Sequence, residues 1–452
     1  MGIIITLAVS FFLLVFSIYK EIFIGYALIV CFLLFVLLAL KRGFAIKNIL
    51  KSSYGGGKKV FLVLRIFLLI GAITASWMAS GTVTGIVYYG IQLMHPRFFI
   101  LYAFLICVFV SFLLGTSFGT VSTVGVALIV MAKGGGVNVN LAAGAIIAGA
   151  YFGDRSSPMS SSANLVATLT ETQLYRNIKN MFKTAAIPFS IAVILYGLLS
   201  IHQPLNLVES NMDREIINTF IVDWRTLLPA VVILILATLR LDVKLSMLLS
   251  IITATILAVV LQQYKINEVL GYIIFGFRLD TAGSLGEIIN GGGILSMGKA
   301  AIIVFVSSSL SGLLDGTGML KGLEGVFSKA KPRFHLFFFT CITALITAAF
   351  GCNQTISIVL TTHLLKNSYR ENHVDQYQQA VDIENTSVVL APLIPWNIAS
   401  FVPTTTLMVS STAFIPYAFY LYLIPIFNFL YLRSKEVDLN QTTSRVWKSP
   451  NN

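Results

Sequence analysis

The sequence predicts an all-α polytopic membrane protein, and three observations carry that prediction. Of its 452 residues, 56% are hydrophobic and only 11% are charged, a balance that soluble domains do not need. Apolar runs of the length demanded by a hydrocarbon core about 30 Å thick recur along the whole chain. Two of the apolar stretches, 115–170 and 350–408, are interrupted by Gly, Ser, Thr, Asn and Pro at corresponding places: 115 to 158 is about 43 positions and 351 to 395 about 44. Paired interruptions of this kind are the signature of transporters built from repeats with discontinuous helices. The expected architecture is therefore about 11–13 transmembrane segments in two repeats, read as inverted, with broken or re-entrant helices.

In chain order, apolar spans at 3–19 and 22–40 are joined only by Lys20 and Glu21, which predicts a tight helical hairpin. The loop 41–59 carries Lys41, Arg42, Lys47, Lys51, Lys58 and Lys59 with no acid, the bias of a cytoplasmic loop. Its SYGGGKK centre reads as a flexible linker. Spans follow at 60–80, 83–93 and 97–114, with a loop at His95-Pro96-Arg97 because Pro cannot continue a helix. The first interrupted stretch comes next, followed by a span at 184–201. The connection 202–223 holds Glu209, Asp213, Glu215 and Asp223 against Arg214, so it is expected outside and divides the halves. Spans at 225–239, 243–262 and 266–278 open the second half. Residues 280–293 read as a loop or a partly re-entrant piece, 294–314 as a span ending in Asp315, and 321–333 as a basic cytoplasmic loop. The second interrupted stretch and a span at 413–432 complete the chain. The division expected is an N-terminal hairpin with its loop (1–59), a first transport repeat (60–201), an extracellular connection (202–223), a second repeat (224–432) and a cytoplasmic tail (433–452).

The excess of 31 Lys+Arg over 19 Asp+Glu is read through loop position as a topology signal, with lipid and not nucleic acid as the surroundings. Cys31, Cys107, Cys341 and Cys352 stand singly, without the spacing of a zinc site or a disulfide framework. No nucleotide loop, metal cluster or nucleophile–base constellation appears, so an enzyme is not expected.

A carboxylate inside a membrane span is costly and usually marks an ion or proton pathway. Asp154 stands just before the Ser156-Ser157-Pro158 break, where freed carbonyls and the hydroxyls of Ser156, Ser157, Ser160 and Ser161 offer the oxygens that hard cations prefer. Asp154 is thus the candidate Na⁺ ligand. Desolvation makes a carboxylate hold its proton and a nearby cation makes it let go, so one site can exchange the two ions by competition. Glu384 is the second acid considered; Asp382 reads as an exposed charge before the helix. Thr116 and Ser117 open a hydroxyl ladder, and Asn164, Asn353, Gln354 and Asn397 are polar groups beside the breaks. Trp396, between Pro395 and Asn397, is expected inside the fold.

The runs GTSFGTVSTVG, GAIIAGAYFGDRSSPMSSSANL and PLIPWN, in this order, resemble the NhaC family of bacterial sodium/proton antiporters over most of 60–432. The resemblance implies Na⁺ exchanged for H⁺, no cofactor, Asp154 at the family's Asp and Asn397 at the Asn closing PLIPWN. Where relatives commonly carry an acid after the SPxS piece this chain has Ser161, and it has Asn353 where an acid begins the second stretch. Family members are also assigned to organic-anion exchange and amino-acid uptake. The alternative is accordingly a sodium- or proton-coupled transporter of an amino acid or small organic anion, and a homodimer is one possible assembly.

Overall fold

The chain's lipid-facing and inward-facing residues are already sorted by its composition, and the computed structural model shows how. It describes residues 2–20, 22–205, 212–239, 241, 243–279, 289–319 and 333–446. The expected basic loop 321–333 falls almost wholly outside these, as do most of 280–293, part of 202–223 and the end of the tail.

The described residues are almost all helical. The first half runs α1 (Gly2–Tyr19), α2 (Ile24–Lys41), α3 (Ile46–Ala79), α4 (Thr82–Leu93), α5 (Phe99–Leu114), α6 (Ser117–Gly134), α7 (Val139–Ser156), α8 (Ser161–Leu169) and α9 (Leu174–His202). The second continues with α10 (Met212–Thr219), α11 (Leu228–Thr238), α12 (Val243–Val260), α13 (Ile266–Phe275), α14 (Gly298–Gly316) and α15 (Arg333–Gly351). It ends with α16 (Gln354–Glu371), α17 (Gln376–Leu393), α18 (Ile398–Leu407) and α19 (Phe419–Val446). Among the described residues, six helical segments are long and apolar enough to cross a membrane singly, or up to eight spans if each of two bent pairs is one span. The bends are 67° between α3 and α4 and 49° between α17 and α18. The larger number of crossings expected from the sequence depends on shorter apolar helices as well, among them 5–19 and 244–260.

Large apolar side chains such as Phe12, Phe109, Ile187 and Val260 lie exposed on outer faces; a bilayer is the surroundings that such faces suit. Polar residues are drawn inward instead: Asp154, Arg155, Glu384, Asn385 and Asn397 are all buried. This inversion follows from the solvent, since each unsatisfied polar group in hydrocarbon costs several kcal/mol.

One expectation is overturned here. The SYGGGKK segment is not a flexible linker but part of the continuous helix α3. Its glycines let α3 and α14 approach closely: a Cβ on Gly56 would stand 2.7 Å from the Gly312 Cα and 2.3 Å from the Ser308 carbonyl oxygen. Small residues one helical turn apart on both partners, Ser52 and Gly56 against Gly312 and Gly316, form the contact. Local composition favoured disorder, and close packing between helices reversed it.

The two interrupted stretches show the same succession of local shapes. After α5, Gly115 is left-handed (φ 66°) and Thr116 is extended (φ −145°, ψ 127°) as the N-cap of α6. After α15, Cys352 is left-handed (φ 51°) and Asn353 is extended (φ −148°, ψ 131°) as the N-cap of α16. Each stretch then has a second helix, a short non-helical break, a polar N-cap (Ser160 or Asn397) and a third, shorter helix.

Candidate functional site

The break between α7 and α8 is made by Ser157, extended at φ −85° and ψ 141°, followed by Pro158, which disfavours helix at the preceding residue. In hydrocarbon the freed backbone groups need partners, and short-range hydroxyls supply them. Ser160 Oγ donates to the Asp154 carbonyl oxygen and accepts from the amides of Ser162 and Ala163 at 3.1 Å, which caps α8. Ser157 Oγ donates to the Phe112 carbonyl at 2.6 Å, so the break is pinned to α5. Ser111 of α5 receives the Gly153 amide at 3.0 Å and donates to the Gly149 carbonyl at 2.9 Å. Glycine is required at 153 because a Cβ there would lie 2.0 Å from the Ser111 carbonyl carbon.

This scaffold holds Asp154 in the last turn of α7, only 5% exposed. Its Oδ2 accepts from Gln354 Nε2 at 2.9 Å and from Ser117 Oγ at 3.5 Å, and its Oδ1 from Ser162 Oγ at 3.4 Å. Ser117 begins α6, Ser162 lies in the first turn of α8 and Gln354 begins α16. Three helix starts therefore converge on one carboxylate, and the partial positive charge of a helix N-terminus favours an anion there. The two hydroxyl contacts are long for O–H···O bonds, whose preferred range ends near 3.0 Å. Those hydroxyls are thus free to turn lone pairs toward a cation beside the carboxylate. The Gln354 side chain carries a carbonyl oxygen too, and half a turn of its amide exchanges donor for acceptor.

Arg155 does not pair with Asp154. It is fully buried and points the other way, where its Nε and Nη2 donate to Asn385 Oδ1, its Nη1 to Ser156 Oγ at 2.9 Å, and its Nη2 also to Thr184 Oγ1 at 3.0 Å. Among the described residues it takes part in no ion pair. Next to Asn385 stands Glu384, also fully buried, within a π-type turn of α17 spanning Glu384–Val388. Neither of its carboxyl oxygens has a hydrogen-bond partner among the described residues. A second π-type turn, Val121–Gly125, lies in α6, and such turns recur at functional sites because they free backbone groups.

The sequence expectation for Asp382 is corrected: it is buried, not exposed, and forms an ion pair with Arg333 at 2.5 Å while accepting from Tyr369 OH at 2.8 Å. It is not a charge before a helix but lies inside α17, which begins six residues earlier at Gln376, and it is covered by Arg333 of α15, Tyr369 of α16 and Asn428 of α19. Of the other residues singled out, Ser117 and Gln354 meet at Asp154, whereas Ser157, Ser160, Thr116 and Asn353 hold backbone around it. Asn397 caps α18, donates to the Ala348 carbonyl at 2.8 Å and lies apart from the carboxylate's contacts. Trp396 is buried, with its indole N–H on the Ala349 carbonyl at 2.6 Å. Ser161 and Asn164 are exposed, and Asn164 bonds only to backbone of its own segment. Sequence reasoning passed over Ser162, one residue beyond Ser161, because it could not place the helix start at Ser160. It also passed over Asn385, and it considered Arg155 only as a partner of Asp154, although an arginine in an apolar run is itself a signal. Tyr151, one turn before Asp154, donates to the Ala399 carbonyl at 2.6 Å and ties α7 to the second break.

Comparison with known proteins adds two findings. The model of the Na⁺/H⁺ antiporter family matches residues 149–434, which include Asp154, Glu384 and both sides of the second break. Among characterised proteins, the chain is similar to the malate-2H⁺/Na⁺-lactate antiporter of Bacillus subtilis (strain 168), 28% identical over 92% of this chain and 89% of that one. It is likewise similar to the Na⁺/H⁺ antiporter NhaC of Alkalihalophilus pseudofirmus, 29% identical over 85% of this chain and 84% of the relative. NhaC of Bacillus subtilis is 29% identical over 87% and 88%, respectively.

Proposed function

The chain belongs to the Na⁺/H⁺ antiporter family, and from that premise we propose that it exchanges Na⁺ for H⁺ across the cell membrane at Asp154. It is a multi-pass membrane protein, so the reaction is transport driven by one gradient against another. The observation that carries the reading is the convergence of Ser117, Ser162 and Gln354 on one buried carboxylate at a helix break. In the proton-loaded state the carboxyl is neutral, which removes the cost of an uncompensated charge in a dry site. In the sodium-loaded state the carboxylate, the two hydroxyl oxygens and the turned Gln354 carbonyl supply a cage of oxygens for a hard cation. Both ions need the same oxygens, so occupancy is exclusive and the two fluxes are coupled. The recurring element order of the two interrupted stretches supports a two-repeat construction, with the divide between halves at 202–223.

The second reading is coupled transport of a small organic anion, supported by the similarity to a relative named for malate and lactate exchange. One experiment separates the two. Purified protein in proteoliposomes with an imposed pH gradient is given Na⁺ without any organic solute, and internal pH is followed. Proton movement under that condition supports antiport at Asp154; movement that begins only when an organic anion is added overturns it.

A further inference from the structure

Away from Asp154, a cavity of about 940 Å³ opens between α9, α17 and α19 beside the start of α15. Its walls carry five cations, Arg176, Lys179, Lys183, Arg333 and Lys435, against two acids, Asp375 and Asp382. Both acids are engaged. Asp382 is paired with Arg333, and Asp375 caps α17 by accepting the Tyr377 amide. Arg176 lies over the Tyr377 ring, 4.0 Å from its centroid, and Lys435 over the Tyr431 ring at 5.0 Å, so neither is neutralised. Among the described residues Lys179 and Lys183 form no ion pair, and Arg333 Nη1 is buried without a hydrogen-bond partner. Basic residues that only set topology have no need to converge, but these come from separate stretches of chain and face one concavity. The inner wall includes Thr184, which accepts from Arg155, and Asp382, two residues before Glu384.

We propose that this cavity is a binding site for a small multivalent oxyanion, held by charge-assisted hydrogen bonds from Arg333, Lys179 and Lys183. A volume of this size accommodates a small organic acid, and a carboxylate or phosphate group satisfies the arginine's unused donor in the planar geometry that guanidinium favours. The ligand is either a soluble polycarboxylate or the phosphate of an anionic lipid headgroup. The inference bears on the organic-anion reading above and does not depend on cation exchange at Asp154.

The test uses the full chain in phosphatidylcholine nanodiscs, with calorimetric titration of succinate and of inorganic phosphate and no ion gradient. Saturable binding is expected, weakened about tenfold or more in the double variant Lys179→Gln/Lys183→Gln, the order of one charge-assisted hydrogen bond. Both lysines are exposed, so folding is not at stake, and an unchanged melting temperature checks it. In a second arm the discs contain phosphatidylglycerol. If succinate binding is lost there and native mass spectrometry finds phosphatidylglycerol retained by the parent but not by the variant, the site is assigned to a headgroup. Binding of neither probe together with equal lipid retention, or binding that the double variant leaves unchanged, overturns the proposal. Because no flux is read, either result leaves cation exchange at Asp154 to its own experiment.

Discussion

Replacing Asp154 by Asn removes the charge while keeping the shape, and the structure lets the consequence be worked out. In the parent, the carboxylate accepts from Gln354 at 2.9 Å and from Ser117 and Ser162 at 3.5 and 3.4 Å. An asparagine keeps one acceptor oxygen and gains a donor, so the Gln354 amide need only turn to present its oxygen. The stability change is then about 1 kcal/mol or less, the net worth of one rearranged hydrogen bond. Cation binding loses far more. Removing one member of a buried, hydrogen-bonded charge pair costs about 2–5 kcal/mol, which weakens Na⁺ binding roughly thirtyfold to several thousandfold. No proton is left to trade either, so coupled exchange is expected to vanish. The assay is Na⁺-triggered change of internal pH in proteoliposomes, with a thermal melt of the same preparation. A half-saturating Na⁺ concentration and rate unchanged in Asp154→Asn would refute the reasoning. Ser161→Ala, at an exposed hydroxyl outside the carboxylate's contacts, is the control and leaves exchange as it was.

Glu384→Gln is expected to reduce exchange less than Asp154→Asn and to displace its pH profile; because neither carboxyl oxygen has a hydrogen-bond partner among the described residues, the melting temperature holds or rises, and a sharp fall would show an unrecognised structural bond. Gly312→Leu should lower the melting temperature, because its Cβ would stand 2.6 Å from the Ser52 carbonyl and 2.7 Å from the Gly56 Cα, an overpacking that costs about 1–3 kcal/mol. The topology expected from charge places Lys47 inside and His202 outside. Single cysteines at these positions, probed with an impermeant thiol reagent on intact cells, should label at 202 and not at 47, and the reverse would invert the orientation.

The sequence by itself determined that this is a helical membrane protein, because hydrocarbon admits few backbone solutions and the apolar runs are long. It also located the first break and its carboxylate, since Pro158 and the serines around it are local signals that act within a few residues. Asp154, Ser117 and Gln354 were all legible as candidates on those grounds. The tertiary structure alone decided which of them meet. Gln354 lies 200 positions from Asp154, and no periodicity relates the two. The choice of Ser162 over Ser161 turned on a one-residue difference in where α8 begins, which rotates a side chain by about 100° around a helix of 3.6 residues per turn. Burial of Asp382 was likewise decided by where α17 begins, at Gln376, and by the residues of α15, α16 and α19 that pack over it. The glycine run at 55–57 reversed its meaning for the same reason: alone it loosens a chain, but Gly56 against Gly312, and Gly57 against Phe305 and Ser309, let two helices touch.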